Sequence, residues 1–274
     1  MEFNAFKMDG LDNDFVIIEQ RSKDIKLTKD QIVKICDRKF IGCDQLIFIK
    51  KNIKIDADLE FYNSDGSKPG ACGNGTRCVA YFLSKENDKK EIEVYTSSGN
   101  LKSKIFEKNL VETEIGVPKT KWNEIPLSKE MNTENLNIKI LDKNKNEFIG
   151  GTSVNVGNPH IIFFVNDIEN YNIKEIGPEI EKDSLFPEKC NVTLAEKIND
   201  NLFKVKVWER GAGLTKACGT AACATAFAAN INGLTKSKTD IEFALGNLSI
   251  FIDEKNSIHM KGPVSEIKEI NVKL

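Results

Sequence analysis

Apolar residues along the chain fall mostly into short runs of strand length. FVIIEQ from Phe15, QLIFIKK from Gln45, IEVYTSS from Ile92, LVETEIGV from Leu110, KVKVWE from Lys204 and LSIFID from Leu248 are rich in β-branched and aromatic residues. Turn residues separate them, so each predicts a β-strand. Three stretches read as helix instead. One covers 29–38. A second, VAYFLSKEN from Val79, and a third, CATAFAANING from Cys223, each follow a Cys-Gly motif. The third is apolar nearly all round, as a buried helix is, and ends on Gly233, a helix-stop residue.

The same pattern occurs twice. ACGNGTRCVAYF starts at Ala71 and ACGTAACATAF at Ala217, 146 residues later. FYNSDGS from Phe61 and VWERGAG from Val207 share that offset. SGNL from Ser98 and LGNL from Leu245 are 147 apart, and Asn13 before DFVII and Asn158 before PHIIFF are 145 apart. Four landmarks in one order at one offset imply a duplicated architecture, with a period far too long for a solenoid. The expected fold is α/β in the α+β sense. Two similar domains, each a curved, mostly antiparallel β-sheet wrapped around a central helix, would be related by pseudo-twofold symmetry and meet at a cleft. The first would span 1–117 and carry Cys72. The second would span 118–262 and carry Cys218. The polar, weakly patterned stretch 118–137 marks their junction. The tail 263–274 alternates and reads as an edge strand returning to the first domain.

Composition narrows the function classes. Of 274 residues, 39 are Lys or Arg and 41 Asp or Glu, a formal net charge of −2. That balance asks for neither nucleic acid nor an anionic membrane as partner. The N-terminus lacks a basic head followed by an apolar core, and runs such as IIFFV at 161–165 are too short to span a bilayer. A cytoplasmic location is expected. Seven cysteines are an odd number and argue against a disulfide framework.

The two Cys-Gly motifs carry the candidate chemistry. Each places a cysteine, Cys72 or Cys218, at a helix N-terminus. Unpaired backbone N–H groups and the helix dipole there favour thiolate. The N–H groups of Gly73 and Asn74, and of Gly219 and Thr220, would cradle a carboxylate. Two such helices aimed at one amino-acid carboxylate would stabilise charge developing at the α-carbon. One cysteine would remove the α-proton as thiolate and the other would return a proton as thiol from the opposite face. That inversion needs neither metal nor organic cofactor. Cys36, Cys43, Cys78, Cys190 and Cys223 read as small buried hydrophobes. Cys72 and Cys78, six apart, and Cys218 and Cys223, five apart, do not match zinc-ligand spacings. A redox disulfide between Cys72 and Cys218 remains open if they face each other.

These residues resemble a known family. GLDNDFV from Gly10, GCDQ from Gly42, NSDGSKPGACGNGTRC from Asn63, GNPH from Gly157, NV from Asn191 and WERGAGLTKACGTAACA from Trp208 are together similar to diaminopimelate epimerases, along nearly the whole chain. The resemblance implies epimerisation of LL- and meso-diaminopimelate in lysine biosynthesis, without cofactor, with Cys72 and Cys218 as the base and acid pair. It implies a substrate-binding set of Asn13, Gln45, Asn63, Gly73, Asn74, Asn158, Asn191, Glu209, Arg210, Gly219 and Thr220. It assigns His160 and Glu209 to tuning the cysteine pKa values, and it implies a homodimer. Arg210 suits a carboxylate, which it can fork, and Glu209 suits an ammonium group. His259 lies in no motif and reads as structural.

The sequence departs from the family at three places. Asp9 and Asp12 stand where His or Asn and Gly are common, and Ala221 stands where Gly is common. A glycine at 12 would suit a positive φ, which Asp adopts less easily. The alternatives are a racemase of another amino acid on the same fold, such as a proline or hydroxyproline racemase, and a non-catalytic binding member. Arg210 and the several asparagines exceed what a proline-sized substrate needs. Both cysteines are retained, which disfavours a non-catalytic member.

Overall fold

The computed structural model describes residues 1–274. The chain divides into two compact units, Met1–Glu114 with Lys261–Leu274, and Ile115–Met260.

In the first unit β1 (Glu2–Gly10), β2 (Asn13–Glu19), α1 (Lys29–Cys36), β3 (Gln45–Lys50), β4 (Ala57–Asn63), α2 (Gly73–Asn87), β5 (Glu91–Thr96), β6 (Gly99–Ile105) and β7 (Leu110–Gly116) follow in order. In the second come β8 (Ile138–Leu141), β9 (Glu147–Gly150), β10 (Thr152–Asn155), β11 (Pro159–Val165), a short 3₁₀ turn, α3 (Ile173–Glu181), β12 (Asn191–Asn199), β13 (Leu202–Glu209), β14 (Gly213–Thr215), α4 (Gly219–Ile231), β15 (Lys238–Phe243), β16 (Gly246–Ile252) and β17 (Ile258–Pro263). β18 (Lys268–Lys273) then pairs antiparallel with β1, Lys273 opposite Glu2.

The two units share one pairing scheme. β1–β2 is antiparallel, β2–β3 parallel, β3–β4 antiparallel, β4–β5 parallel and β5–β6 antiparallel. β10–β11, β11–β12, β12–β13, β13–β15 and β15–β16 repeat that series in the same order. The registers extend the duplication. Phe15 faces Gln45 on the parallel β2–β3 pair, and His160 faces Asn191 on β11–β12. Gln45 and Asn191 therefore occupy equivalent strand starts. In each unit a helix, α1 or α3, precedes that parallel partner strand, and a second helix, α2 or α4, links the next parallel pair.

The linking helices are the cores. Every residue of α2 from Asn74 to Ser84 is buried. It packs on Phe15, Ile17, Ile47, Phe61, Val94 and Leu101. The other face of that sheet takes Val16 and Ile18 against Ile32 and Ile35 of α1. Cover on both faces explains why β2 is a continuous apolar run and not an alternating one. A Cβ on Gly75 would sit 2.8 Å from Ile47 and 2.9 Å from Phe61, so α2 rests directly on the sheet. α4 buries Ala221 through Ala229. Its end is a Schellman cap: Leu234 N–H donates to Ala229 C=O at 2.9 Å and Gly233 N–H to Asn230 C=O at 3.0 Å, with Gly233 at φ +68°.

α3 was not anticipated. Ile173, Ile176 and Ile180 bury one helical face, but Gly177 and Pro178 interrupt the sequence signal. Gly177 is there for close approach, since a Cβ would lie 2.3 Å from Trp208 Cγ. The polar stretch at 118–137 contributes Ile125, Leu127 and Leu136 to the second unit's core despite having no long element. The two-residue turn Leu11–Asp12 has φ of 58° and 64°, so the position the sequence marked as wanting positive φ does adopt it, with two residues that take it reluctantly.

Candidate functional site

Each unit presents a cysteine as the N-cap of its linking helix. Cys72 has φ −139° and ψ 115°, and Cys218 has φ −144° and ψ 114°. Neither side chain makes a regular cap hydrogen bond to its own helix, and in α4 the Ala221 N–H of the first turn acts on the Cys218 sulfur and lowers its pKa. Thr76 N–H already donates to Cys72 C=O, and Ala222 N–H to Cys218 C=O, which starts each helix at the following glycine.

In the first unit the polar residues form a chain beside Cys72. Its sulfur lies 3.9 Å from Asn13 Oδ1. Asn74 Nδ2 donates to the same oxygen at 3.3 Å, and Arg77 Nη1 donates to Asn74 Oδ1 at 3.0 Å. Asn13 Nδ2 donates to Asp44 Oδ2 at 3.0 Å. Arg77 is fully buried one turn beyond the cysteine. Sequence reasoning passed over Arg77 and Asp44, since a charged residue inside a helix or beside a strand gives no signal until its partners are known. Gln45 and Asn63 face each other on β3 and β4, with Gln45 Nε2 donating to Asn63 Oδ1 at 2.8 Å. Gln45 Oε1 is buried with no partner, an acceptor a ligand could use.

In the second unit Cys218 is buried, and Thr220 Oγ1 lies 3.4 Å from its sulfur. Burial pushes the Cys218 thiol well up, and the Glu209 carboxylate pushes it further by its charge and by a hydrogen bond. The expectation that the helix N-terminus would favour thiolate is therefore overturned at Cys218. Loss of water and a neighbouring anion outweigh the Thr220 hydroxyl and the Ala221 N–H, which pull the other way, and this cysteine rests as thiol. Asn158 Nδ2 donates to Thr220 Oγ1 at 3.5 Å, and Asn158 Oδ1 lies 2.9 Å from His160 Nε2.

His160 is buried, and burial first, then the Arg210 charge, lower its pKa to about 3. It is a neutral imidazole at ordinary pH. Its Nε2 lies 2.9 Å from Asn158 Oδ1 and 3.4 Å from Asn191 Nδ2, and Nδ1 is buried without a hydrogen-bond partner. Asn191 is engaged at both ends: Nδ2 donates to Pro159 C=O at 2.9 Å, and Oδ1 accepts from Arg210 N–H at 3.0 Å. It locks the entry to β12 against the end of β13. The Arg210 side chain is exposed, and its Nη1 donates to Glu188 C=O at 2.8 Å. No group of three or more His, Cys, Asp or Glu side chains is arranged to hold a metal ion. No helix is long and apolar enough to cross a membrane.

The structure thus gathers Cys72, Asn13 and Asn74 at one helix start, with Gln45 and Asn63 paired on the neighbouring strands. It gathers Cys218, Thr220, Asn158, His160 and Glu209 at the other, with Asn191 and Arg210 at the adjoining strand ends. Comparison with known proteins decides the family. The model of diaminopimelate epimerase matches residues 5–121 and 152–267. The diaminopimelate epimerase of Pelagibacter ubique (strain HTCC1062) is 71% identical over 274 residues, covering all of both chains. The chain belongs to the diaminopimelate epimerase family.

The diaminopimelate epimerase of Phenylobacterium zucineum (strain HLK1) is 41% identical over 260 residues, 94% of each chain. Solved structures show how widely the fold of diaminopimelate epimerases is used. A hydroxyproline epimerase from Agrobacterium vitis superposes with a TM-score of 0.67 at 12% identity, over 99% of this chain and 92% of that one. A phenazine biosynthesis protein of the PhzF family from Bacillus anthracis gives 0.68 at 15%, over the whole of both. At such identities the likeness shows the fold alone: α/β, mostly sheet, with two similar domains.

Proposed function

We propose that the chain carries out its family's reaction, the interconversion of LL- and meso-diaminopimelate in lysine biosynthesis, with Cys72 and Cys218 as a base and acid pair acting on opposite faces of one α-carbon. The observation that carries this reading is the repeated cysteine N-cap, alike in backbone angles in both units and with no side-chain cap on either helix. In this reading Gly73 and Asn74 of α2, with Gly219 and Thr220 of α4, hold the reacting carboxylate by backbone N–H. They meet the charge that develops as the α-carbon loses its proton.

Cys218 starts as thiol, as its burial and Glu209 favour, and Cys72 takes the proton. The thiol delivers its own proton to the far face, and the stereocentre inverts. Glu209 then stabilises the protonated sulfur in the resting state, and His160 acts as a neutral hydrogen-bonding group beside Asn158. Asn13 orients Cys72, with Asn74 behind it. Gln45 and Asn63 supply polar contacts to the substrate. Asn158 and Arg210 bind it further out, Arg210 leaving the Glu188 carbonyl to fork the distal carboxylate. Asn191 shapes the wall between them. The protein works in the cytoplasm as a homodimer, a reading supported by the family resemblance and by the charge and cysteine pattern of the chain.

The test uses Cys72→Ala, which should bind substrate through the intact backbone cradle but not turn it over. Diaminopimelate should bind this variant more tightly than lysine, which lacks the distal carboxylate. A charge-assisted contact contributes about 1.5–3 kcal/mol, roughly ten- to hundred-fold in affinity. Equal binding of the two amino acids would refute the diacid assignment and favour a racemase of another amino acid.

A further inference from the structure

Cys36 is the last residue of α1, and Cys43 stands two residues before β3. The segment between them folds back on itself. Gly42 N–H donates to Ile35 C=O at 3.0 Å, and Cys43 N–H donates to Cys36 C=O at 3.2 Å. The two sulfurs face each other at 3.4 Å, the Cys43 thiol donating. Both lie in the core cluster on the α1 side of the first unit's sheet. Main-chain contact at the base and facing sulfurs are the arrangement a local disulfide requires, which closes to about 2.05 Å between sulfurs.

The residues beside this pair reach the reaction site. Arg38, two residues past Cys36, bridges Asp14 at 2.7 Å and Asp44 at 2.6 Å. Asp44, next to Cys43, accepts from Asn13 Nδ2 at 3.0 Å, and Asn13 Oδ1 lies 3.9 Å from the Cys72 sulfur. We propose that Cys36 and Cys43 form a covalent modification site, a dithiol that a hydroperoxide closes to a disulfide, and that closure acts on Cys72 through Asp44 and Asn13.

The two cysteines have distinct parts. The Cys43 thiol donates to the Cys36 sulfur; that hydrogen bond, opposed by burial and aided by the Arg38 charge, pulls the Cys36 thiol below its usual range, while Cys36 and burial push Cys43 up. Cys36 is the nucleophile. Its thiolate attacks one oxygen of hydrogen peroxide, breaking the O–O bond. This gives a sulfenic acid and hydroxide, which takes a proton to become water. The Cys43 sulfur then attacks the Cys36 sulfur and displaces a second water as its own proton leaves. Two thiols and one peroxide become one disulfide and two waters, with two electrons passing from sulfur to oxygen. Drawing the sulfurs together pulls on Asp44 in a close-packed interior that transmits small shifts. The coupling rests on the role proposed for Cys72, whereas disulfide formation does not, so the two can fail separately.

The full chain carrying Cys72→Ser and Cys218→Ser is exposed to hydrogen peroxide, alkylated, and digested without reductant. The expected product joins the peptides of Cys36 and Cys43, two hydrogens lighter than the pair of thiols, and dithiothreitol removes the link. In the same background Cys43→Ser, which keeps a donor toward Cys36, should leave Cys36 as a sulfenic acid that dimedone traps. Recovery of both thiols alkylated after unfolding would overturn the site. For the coupling, wild type and Cys36→Ser/Cys43→Ser receive the same peroxide exposure. Wild type should lose activity about tenfold or more, as displacement of a positioned group does, and regain it with dithiothreitol. The double variant should start at wild-type activity and lose clearly less of it than wild type. Equal loss in both, or full activity in wild type once the disulfide has formed, would overturn the coupling.

Discussion

At the scale of single residues the environment of Cys218 matters most, and it ran against the simple expectation. A helix N-terminus alone favours thiolate, but the pattern of residues could not say how deeply Cys218 lies or that Glu209 is beside it. Burial and Glu209 both hold the proton on. In the proposed mechanism activity needs this thiol, so the alkaline limb of a bell-shaped pH–rate profile should report its loss. Glu209→Gln removes the anion, lowers the Cys218 pKa, and should move that limb to lower pH; an unmoved limb would sever the link. His160 gives a separate prediction about stability. Its folded pKa of about 3 lies below the unfolded value of about 6.5, so the unfolded chain binds the extra proton first. Stability should be complete above the unfolded pKa and fall as pH drops from there toward 3, by on the order of 4 kcal/mol at the acid end. His160→Gln should flatten that part of a urea-denaturation series taken against pH.

At the scale of elements the strand pattern was legible. All six strands expected from apolar runs are present, as β2, β3, β5, β7, β13 and β16. The α4 helix was legible because its alanines leave it no polar face, and Gly233 marked its stop. α2 begins at Gly73, before the apolar residues that signalled it, because its first turn is glycine and polar residues and packs through the bare backbone of Gly75 and not through apolar side chains. α3 escaped notice because its Gly-Pro pair reads as a turn, although the glycine is there to admit Trp208. The close approaches predict a contrast. Gly75→Ala must push Ile47 and Phe61 by tenths of an ångström and should cost about 1–3 kcal/mol. Gly177→Ala collides with the indole ring itself and should cost about 3 kcal/mol or more. It should also displace Trp208 from Glu181, whose carboxylate accepts from its Nε1 at 2.8 Å. Denaturant titration measures both, and tryptophan fluorescence should change in Gly177→Ala and not in Gly75→Ala. Equal costs with no spectral change would contradict the packing account.

At the scale of the whole molecule the duplication ties fold to reaction. The offset readable from the sequence already lines up Gln45 with Asn191, 146 apart, and Phe15 with His160, 145 apart, and strand register places each pair at the same point of the repeated parallel pairing. Different side chains at equivalent places make the two cysteine settings unlike. Phe15 packs under α2, while His160 hydrogen-bonds beside Cys218. Each half then offers a cysteine in a different setting, Cys72 within a polar chain and Cys218 in a buried pocket with Glu209. A two-base reaction wants that inequality in any one direction of turnover. In the proposed mechanism the proton removed and the proton returned pass through different sulfurs. LL-diaminopimelate bearing ordinary hydrogen at the α-carbon is given to the wild-type protein in deuterated water, and the meso product of the earliest turnovers is examined by mass spectrometry. The account predicts solvent deuterium at the inverted carbon from the first product formed, and no product from Cys72→Ala or Cys218→Ala; product that retains the original hydrogen, or turnover by either variant, would contradict it.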